Sequence, residues 1–523
     1  MNKKIMGQYM TPQNVANWMA RGIAEYNPQT VLEPSFGNGV FFRALHTYGL
    51  NAKLFGCELD KELFESGLET TRKLFADYEL TNECFLTFYL ANIGNKMDAI
   101  IGNPPFVSHL STSDNFKQRA KQLCAMAGIK YSKMMNTWVL FVMASLMMLK
   151  QGGKLALVLP IDILTAAWAE ELRKLFQKQK CRVTILETWE PMFPDVDQAT
   201  CILLAQKGAD QHTVKYLSLP SLDSIEPYYA WGLPGQNHGT NWTLAQLPEQ
   251  VRSLLHSLPA EREVKRLGTL ARISVPPPTG ANKFFFVNGD TIHKYDLIHW
   301  TEPVFSSVGL CKSILYEFHD WQNDAADGKN VYLLSMPPNV VKHPKAKRYI
   351  DKYRAYNPQL SYKCSQHTPE WWCLPKGFTR PELFMPKRNG DVARLIRNEA
   401  DVIIGDCCMK VEPKKQNIAD RLAINFMNPL TMLTAELYGK RFGGGVLEMQ
   451  PRSADELLVP WPKGDNDPTQ LHTLSVMYKP EEVVRQFGRI LLMKLMSSAE
   501  ADSITNTWLK LRSRRLKGEQ HDL

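Results

Sequence analysis

The chain has 523 residues, which allows two to four domains at roughly 150 residues each. A hydrophobic share of 44% with a charged share of 22% excludes a largely disordered chain, and a formal net charge of +9 fits an acidic partner without requiring one. No apolar stretch follows Lys3 and Lys4, and the longest apolar run, residues 139–149, is too short for a bilayer. We therefore expect a cytoplasmic protein without a signal peptide or a membrane span.

The first 207 residues alternate short apolar strands with amphipathic helices, a pattern typical of an open parallel sheet. Thr11 and Pro12 predict a helix start, with Thr11 as the N-cap. A helix over 136–150 is expected to stop at Gly152 and Gly153. Strands are predicted at residues 31–32, 54–58, 98–101, 154–159, 182–186 and 200–205.

After residue 207 the composition changes. Residues 208–280 are rich in Pro, Gly and Asn, and three consecutive prolines at 276–278 mark a break. We predict a catalytic domain over 1–207, a linker over 208–264, a second domain over 265–465 and a helical tail over 466–523. Five of the eight residues 510–517 are basic, which favours a solvated helix face over a phosphate contact.

The ten cysteines include no C-x-x-C pair. Cys364, His367 and Cys373, with Cys407 and Cys408 further along the chain, form the one cluster of metal-ligand type. Structural metal sites usually carry two tight ligand pairs, and this cluster offers at most one and a half. We therefore expect no metal site.

The first motif that carries chemistry is the glycine turn (residues 33–39, Glu-Pro-Ser-Phe-Gly-Asn-Gly), which follows the first strand. Gly37 and Gly39 permit a tight turn and a close approach of a ligand. Glu58, 19 residues after Gly39 at the end of the next strand, is placed to accept both hydroxyls of a ribose. The third glycine of a dinucleotide fingerprint is missing, so a nucleoside cofactor without a pyrophosphate fits better than NAD; an ordinary strand-to-helix turn is the alternative.

The sharpest motif is the NPPF turn (Asn103, Pro104, Pro105 and Phe106), directly after the strand at 98–101. Two prolines remove two N–H donors, so the turn presents carbonyl oxygens. Asn103 adds a side-chain acceptor and Phe106 an aromatic face. A planar base can stack on that face while its amino group donates to Asn103 and to the Pro104 carbonyl. The alternative is a proline turn that merely ends a strand.

Together the glycine turn and the NPPF turn resemble the γ-class N6-adenine DNA methyltransferases of restriction–modification systems. Further segments are similar in the same order. They are residues 8–12 (Gln-Tyr-Met-Thr-Pro), Asn136-Thr137-Trp138, Gly152-Gly153, residues 157–160 (Leu-Val-Leu-Pro) and Phe193-Pro194. In the second domain, residues 279–283 and 441–445, with Pro451, are similar to segments of the family's target-recognition domains.

The resemblance implies a Rossmann-like, S-adenosylmethionine-dependent domain, with a mostly parallel sheet and an antiparallel edge strand, and a mixed α/β target-recognition domain. It implies that S-adenosylmethionine is bound by Thr11, Glu33, Gly37, Gly39, Glu58, Glu83, Phe85 and Asn103. Thr11 would lie over the methionine part of the cofactor. Cys84 stands where the family usually has an acid that accepts from the cofactor's adenine amino group. Either Glu83 or the backbone near Phe85 is expected to take that role.

The implied reaction is transfer of a methyl group to N6 of an adenine in duplex DNA. Asn103 and the Pro104 carbonyl would accept from the amino group, and the base would flip out and stack between Phe106 and Phe193. No Pro-Cys nucleophile is present, which disfavours cytosine C5 chemistry. The expected DNA contacts are basic residues, namely Lys117, Arg119, Lys121, Lys130, Lys133, Lys283 and Arg441.

Two other functions stay open. The NPPF turn also suits methylation of an RNA base or of a protein glutamine, although such enzymes usually lack a second domain of about 300 residues. A DNA-binding protein that has lost catalysis is the second alternative, which the intact NPPF turn disfavours. A separate restriction endonuclease is a possible partner, and we expect a monomer or a weak dimer.

Overall fold

The computed structural model describes residues 10–107, 112–133, 135–193, 199–261, 263–357, 370–442, 445–464, 469–477 and 479–516. These residues form two compact units. In the described part of the chain, the first unit comprises residues 10–248 with 440–442, and the second comprises residues 249–439 with 445–516. The domain boundaries drawn from the sequence stay predictions.

The first unit is built on one eight-stranded sheet with the strand order β3-β2-β1-β4-β5-β7-β6-β8. Every neighbouring pair is parallel except the two that involve β7, which runs antiparallel to β5 and β6. The strands are β1 (Thr30–Glu33), β2 (Lys53–Cys57), β3 (Tyr78–Thr81), β4 (Met97–Gly102), β5 (Leu149–Pro160), β6 (Arg182–Thr188), β7 (Thr200–Gln206) and β8 (Thr213–Leu219).

Helices cover both faces of this sheet, and alternate strand residues supply the two cores. Leu155, Leu157 and Leu159 of β5 join one hydrophobic cluster, whereas Ala156 and Val158 join the other. This alternation is expected of a strand that is buried on both faces. The helices are α1 (Gln13–Ala24), α2 (Val40–Thr47), α3 (Lys61–Leu74), α4 (Phe85–Ala91), α5 (Asp114–Ala127), α6 (Thr137–Met148), α7 (Glu170–Lys178) and α8 (Pro227–Gly232).

Side-chain caps fix the starts of several of these helices. Asp60 accepts from the backbone N–H groups of Glu62 and Leu63 at the start of α3. Asn136 accepts from the backbone N–H of Trp138 at the start of α6. Such caps satisfy backbone donors that the first helical turn leaves without a partner.

The expected fold class is confirmed, with corrections of detail. The antiparallel strand β7 is not at the edge, because it pairs with β5 on one side and with β6 on the other. The predicted helix over 136–150 ends at Met148, and the chain passes at once into β5, so Gly152 and Gly153 lie within a strand. The predicted linker over 208–264 contains β8 and α8. Strand β3 was not predicted, because its sequence, Tyr-Glu-Leu-Thr, is short and half polar.

The second unit is a mixed α/β assembly of short elements. Its larger sheets have five strands in the order β10-β19-β15-β17-β13 and four strands in the order β11-β14-β12-β18. Its strands are β9 (Val264–Arg266), β10 (Ala271–Ser274), β11 (Phe286–Val287), β12 (Thr301–Phe305), β13 (Leu315–Tyr316), β14 (Tyr332–Leu334), β15 (Leu383–Pro386), β16 (Arg388–Asn389), β17 (Ile396–Asn398), β18 (Ile403–Ile404) and β19 (Cys408–Pro413), followed, after β20 (Lys440–Arg441) of the first unit, by β21 (Leu447–Glu448) and β22 (Leu458–Pro460).

Helices of the second unit surround these sheets, and the last of them is the longest. They are α9 (Glu249–Glu261), α10 (Leu267–Leu270), α11 (Asn282–Phe285), α12 (Gly289–Tyr295), α13 (Phe318–Ala326), α14 (Pro344–Tyr356), α15 (Ala419–Phe426), α16 (Pro429–Tyr438), α17 (Pro451–Asp455), α18 (Thr469–Met477), α19 (Pro480–Glu482), α20 (Arg489–Met493) and α21 (Ser498–Arg515). Within the described ranges, none of the helices of either unit is long and apolar enough to cross a membrane.

Within the basic end of α21, Lys510 is exposed as its sequence favoured, whereas Arg515 is not on a solvated face. The guanidinium of Arg515 is fully buried and donates to both carboxylate oxygens of Glu436 at 2.8–3.0 Å. Arg515 also donates to the backbone carbonyls of Gly390, Asp391 and Gly445. The end of the helix is therefore held by a buried ion pair in which the guanidinium reaches five acceptors. Lys517, at the end of the basic cluster, lies outside the described residues.

Candidate active site

The two motifs lie at one edge of the sheet. The glycine turn begins at the last residue of β1, and the NPPF turn follows β4, which pairs directly with β1. Because parallel strands end at the same edge, the two turns are neighbours, and Ser35 of the first donates its hydroxyl to the Asn103 carbonyl of the second at 3.2 Å. This edge is where open α/β sheets bind their ligands.

The glycine turn has the backbone that its sequence predicts. Gly37 and Gly39 have φ angles of +53° and +78°, a left-handed conformation that favours glycine. A Cβ added at Gly37 would meet no atom within 4 Å, so the turn is open on that side. A ligand can therefore approach the Gly37 backbone closely.

Glu58 lies at the end of β2, as predicted, and its carboxylate is tied to the glycine turn. It accepts from the backbone N–H of Gly37 at 3.0 Å and from that of Asp60 at 2.8 Å. Burial raises the pKa of Glu58, while these two N–H groups oppose the rise. The carboxylate thus fixes the glycine turn, and the predicted ribose contact would use its remaining lone pairs.

Glu33 is a buried carboxylate without a complete set of partners. Its side chain is 1% exposed, and its Oε2 atom has no hydrogen-bond partner among the described residues. Burial raises the pKa of Glu33 well above its ordinary value, the charge of Glu58 raises it further, and Arg43 opposes both. The Oδ1 atom of Asn38, in the same turn, is also buried without a partner. Buried polar atoms normally have partners, so this turn has the properties of a site that a ligand completes.

Thr137 holds the NPPF turn, whereas the described residues offer no donor to its Pro104 carbonyl. The Thr137 hydroxyl, in the first turn of α6, donates to the Pro105 carbonyl at 2.6 Å and accepts from the backbone N–H of Val107 at 3.1 Å. The Pro104 carbonyl, by contrast, accepts no hydrogen bond from any residue that the structure describes. Its oxygen is therefore available to a donor on a substrate, as the sequence predicts.

Thr11 contacts the NPPF turn. Asn103 donates its Nδ2 to the Thr11 hydroxyl oxygen at 3.2 Å. Pro12, not Thr11, is the N-cap residue of α1, so the N-cap prediction for Thr11 is wrong. Because an amide's oxygen and nitrogen point in different directions, holding Nδ2 against Thr11 turns Oδ1 away from that residue. The predicted cofactor contact of Thr11 stays a prediction, as do its predicted neighbours Gln8 and Tyr9, which lie outside the described residues.

The region expected to hold the cofactor's adenine departs from the family pattern in the way that the sequence indicates. Cys84 is the N-cap residue of α4, and burial raises the pKa of its thiol, so the sulfur stays uncharged at neutral pH. Phe85 is buried in the core and its ring packs on Phe141, with 5.2 Å between the ring centroids. The side chain of Phe85 is therefore not accessible to a ligand, and only its backbone could accept from the adenine amino group. Glu83, the other predicted acceptor, is half-buried.

The two predicted base-stacking rings differ in burial. Phe106 is half-buried and packs against both hydrophobic clusters of the first unit. Phe193 is only 6% exposed and belongs to one of those clusters. Little of its ring is presented to a base in this conformation, so its stacking role stays a prediction. Pro194, the other residue of that motif, lies outside the described residues.

The predicted DNA contacts fall into two groups. Lys121, Lys130 and Lys133 are exposed, Arg119 is half-buried, and Lys117 is ion-paired with Asp114 at 3.1 Å. Lys283 is exposed in the second unit.

Arg441 is different, because its side chain is 7% exposed and donates to Gln246 at 3.0 Å, with Glu187 3.7 Å away. In this conformation the guanidinium is not presented to a phosphate, so the DNA contact of Arg441 stays a prediction. Gly443 and Gly444, in the same predicted segment, lie outside the described residues.

The predicted cysteine cluster cannot be evaluated as a whole, because Cys364 and His367 lie outside the described residues. Of its other members, Cys373 and Cys407 are half-buried and Cys408 is buried. The Cys407 and Cys408 sulfurs lie 3.8 Å apart as neighbours in the chain. The expectation of no metal site stays a prediction.

Gly67 on α3 belongs to the site but was not predicted. A Cβ at this position would lie 2.6 Å from the Gly37 carbonyl oxygen and 2.5 Å from the Phe36 ring. The helix can therefore pack against the glycine turn only without a side chain here. A glycine inside an otherwise regular helix was the available signal, since it costs helix stability and implies a packing reason.

An open, mostly parallel sheet, with a glycine turn and a proline-stiffened turn on adjacent strand ends, defines the class I S-adenosylmethionine-dependent methyltransferase fold. Residues 1–222 match the N-6 DNA Methylase family, and residues 239–492 match the C-terminal domain of Type II methyltransferase M.Eco57I. Between them, these matches cover nearly the whole chain. The chain belongs to the N6-adenine DNA methyltransferase family of restriction–modification systems.

Individual proteins are similar along most of the chain. Type II methyltransferase M.AccI of Acinetobacter calcoaceticus is 22% identical over 477 residues, which are 87% of this chain and 85% of that protein. Type II methyltransferase M.HindII of Haemophilus influenzae is 24% identical over 476 residues, 84% of this chain and 81% of that protein. Among solved structures, the type IIG restriction endonuclease BpuSI is 14% identical with a TM-score of 0.42, covering 97% of this chain and 66% of that one.

Proposed function

We propose that this protein transfers a methyl group from S-adenosylmethionine to N6 of a flipped-out adenine in duplex DNA, at a specific sequence. The observation that carries the proposal is the NPPF turn. Its Asn103 amide is oriented by Thr11, and its Pro104 carbonyl has no donor among the described residues. An exocyclic amino group has two N–H donors, which these two acceptors would satisfy.

The residues of the glycine turn fit the cofactor. Glu33, with its buried and incompletely paired carboxylate, would accept from the α-ammonium group of the methionine part. Glu58 would accept from the ribose hydroxyls, and the open side of Gly37 would admit the ligand to the backbone. Either Glu83 or the backbone of Phe85 would accept from the adenine amino group. When bound, S-adenosylmethionine supplies an electrophilic methyl group on a sulfonium.

The role of the protein in the reaction is positioning and electrostatics. The lone pair of an adenine amino group is delocalised into the ring, which makes the nitrogen a poor nucleophile. Hydrogen bonds from both N–H groups to Asn103 Oδ1 and Pro104 O would favour a more tetrahedral nitrogen with a localised pair. Preorganised acceptors of this kind stabilise the transition state without reorganising during the reaction. The amino nitrogen would take the methyl group as the carbon–sulfur bond breaks, which leaves a neutral thioether, and the nitrogen would then lose one proton to solvent.

A stacked adenine in a duplex cannot reach this turn, so the base must leave the helix. Phe106 would stack on the extruded base, with Phe193 as the predicted second ring. Lys121, Lys130 and Lys133, which are exposed after the NPPF turn, would neutralise phosphates together with Arg119 and Lys117. A separate restriction endonuclease that cuts the same sequence is the expected biological partner.

The test is transfer of label from S-adenosylmethionine to duplex DNA, to RNA and to a protein with a glutamine acceptor, each offered separately. We expect label in DNA alone, recovered as N6-methyldeoxyadenosine after digestion to nucleosides. Label in RNA or protein instead would support the alternative methyltransferases, and label in none would support a non-catalytic DNA-binding protein. Single-molecule sequencing of DNA from cells that express the protein would then give the methylated sequence.

A further inference from the structure

A second site candidate lies in the second unit, in a cavity of about 380 Å³ lined by residues of α11, β11, α12 and α14. Its floor is aromatic and fixed. Tyr295 and Tyr349 are buried, with ring centroids 5.1 Å apart, and the Tyr349 hydroxyl donates to the Phe284 carbonyl at 2.8 Å. The cavity is therefore a preformed feature of the fold.

Three lysines, Lys283, Lys294 and Lys352, surround this cavity, and all three are exposed. Among the residues that the structure describes, none of the three is within ion-pair distance of a carboxylate. None of the described residues that line the cavity is an aspartate or a glutamate. The positive charge here is uncompensated, so the cavity attracts an anion.

Two other lysines on α14 differ from Lys352 in their ion pairs. Lys347 pairs with Asp351 at 2.6 Å, and Lys345 lies 3.9 Å from Asp296. Lys352 is on the same helix but faces the cavity. Lys345 and Lys347 thus have acidic partners, whereas Lys352, on the same helix, has none within ion-pair distance among the described residues.

The remaining lining groups suit a sugar or a base beside an anion. Tyr356 is 78% exposed and presents its ring at the rim, where a flat or apolar group can pack on it. Asn330 and Asn357 add amide groups. Ammonium groups, amides and an exposed aromatic ring together match a nucleotide of a nucleic-acid strand more closely than an isolated anion.

We propose that this cavity binds the sugar–phosphate backbone of the DNA substrate, with Lys283, Lys294 and Lys352 on phosphates and Tyr356 against a deoxyribose or base. The proposal rests on the proposed function, because it takes the substrate to be DNA. The site neutralises phosphates and reads no base edge, so it contributes equally to every sequence.

The experiment measures binding of the full chain to a fluorescent duplex by anisotropy at several salt concentrations. Lys294→Ala and Lys352→Ala are each expected to weaken binding severalfold at low salt, and to reduce the slope of log K against log salt by about one. The loss should be equal for the methylated sequence and for a scrambled duplex. Lys347→Ala, on the same helix but paired with Asp351, is the matched control and should bind like the wild type.

Three outcomes would overturn the proposal. The first is wild-type affinity in both variants, and the second is a loss of affinity confined to one DNA sequence. The third is that millimolar inorganic phosphate abolishes the difference in affinity between the variants and the wild type, which would indicate a site for free phosphate. Circular dichroism confirms that the variants are folded. The proposed function fails separately, if the wild-type protein transfers no methyl group to DNA while the binding differences persist.

Discussion

Glu33 in the first unit and Glu436 in the second are both almost fully buried carboxylates, 1% and 2% exposed. Glu436 is saturated by the guanidinium of Arg515, which donates to both of its oxygens. Glu33 has an oxygen without a partner among the described residues, and its pKa is raised well above the ordinary value by burial and by Glu58. A buried acid with a fixed counterion thus maintains the fold, whereas a buried acid without a fixed counterion is suited to bind a ligand.

The largest expected change in stability comes from breaking the buried ion pair of Arg515 and Glu436. Arg515→Met leaves the Glu436 carboxylate buried without a counterion, and we expect a loss of about 3–5 kcal/mol in the free energy of unfolding. Urea unfolding of the full chain measures this loss. The double variant Arg515→Met with Glu436→Met should recover most of it, because no buried charge then remains. A single variant as stable as the wild type would show that the pair does not hold the end of α21.

Glu33→Gln tests the buried carboxylate that has no fixed counterion. It removes a buried charge that has no complete set of partners, so the free protein should be at least as stable as the wild type in thermal unfolding. The same change removes the proposed partner of the cofactor's ammonium, and we expect affinity for S-adenosylmethionine to fall about tenfold to a hundredfold, as for a charged hydrogen bond of about 1.5–3 kcal/mol.

Glu79→Gln is the matched control for this variant, because Glu79 is an exposed acid on β3 paired with Lys53. Calorimetric titration of both variants with S-adenosylmethionine should show a loss for Glu33→Gln only. If Glu33→Gln destabilised the free protein strongly and left the affinity unchanged, Glu33 would be a structural acid like Glu436.

The raised pKa of Glu33 predicts opposite pH dependences for stability and for cofactor affinity. An acid whose pKa is raised by folding destabilises the native state once it ionises, so its contribution to stability improves as the pH falls through the raised pKa. Affinity for the cofactor's ammonium needs the ionised acid, so affinity should fall over the same pH range. Glu58, whose pKa is also raised, adds to both trends. Unfolding and cofactor-binding titrations of the wild type and of Glu33→Gln at several pH values measure the two dependences. The same dependence on pH in both proteins would contradict the role assigned to Glu33.

The smallest effect is expected at Thr11. Thr11→Val removes the hydroxyl that accepts from Asn103 Nδ2, and a lost hydrogen bond of about 0.5–1.5 kcal/mol should lower the rate of methyl transfer about twofold to tenfold. The KM for S-adenosylmethionine should change less than kcat, and Thr11→Ser should restore the rate. A rise in KM at an unchanged kcat would instead show that Thr11 acts on the cofactor.

Most strands and both site turns of the first unit could be predicted from the sequence, because the sequence signals that specify them are local. Glycines with positive φ, prolines that remove donors, and apolar runs that end at turns each act within a few residues. The strands at Val31, Ile100 and Leu157 and both site turns follow from such signals. The position of β7 inside the sheet does not, because it is decided by long-range pairing with β5 on one side and β6 on the other.

Residues whose role depends on distant partners could not be assigned from the sequence. Arg441 resembles a DNA contact, yet it is buried against Gln246 and near Glu187, which are about 200 residues or more away in the chain. Arg515 belongs to a basic cluster typical of a solvated helix, yet it pairs with Glu436. Nothing in the local composition distinguishes a buried arginine from an exposed one, because burial is decided by tertiary packing.

The central claim is that the NPPF turn holds an amino group by the Asn103 amide oxygen and the Pro104 carbonyl. The most direct measurement is the single-turnover rate at which Asn103→Ala methylates DNA, with cofactor and DNA both saturating and their binding measured separately. We predict a rate at least about 100-fold below that of the wild type, with DNA binding retained. Methylation by Asn103→Ala at the wild-type rate would contradict the account.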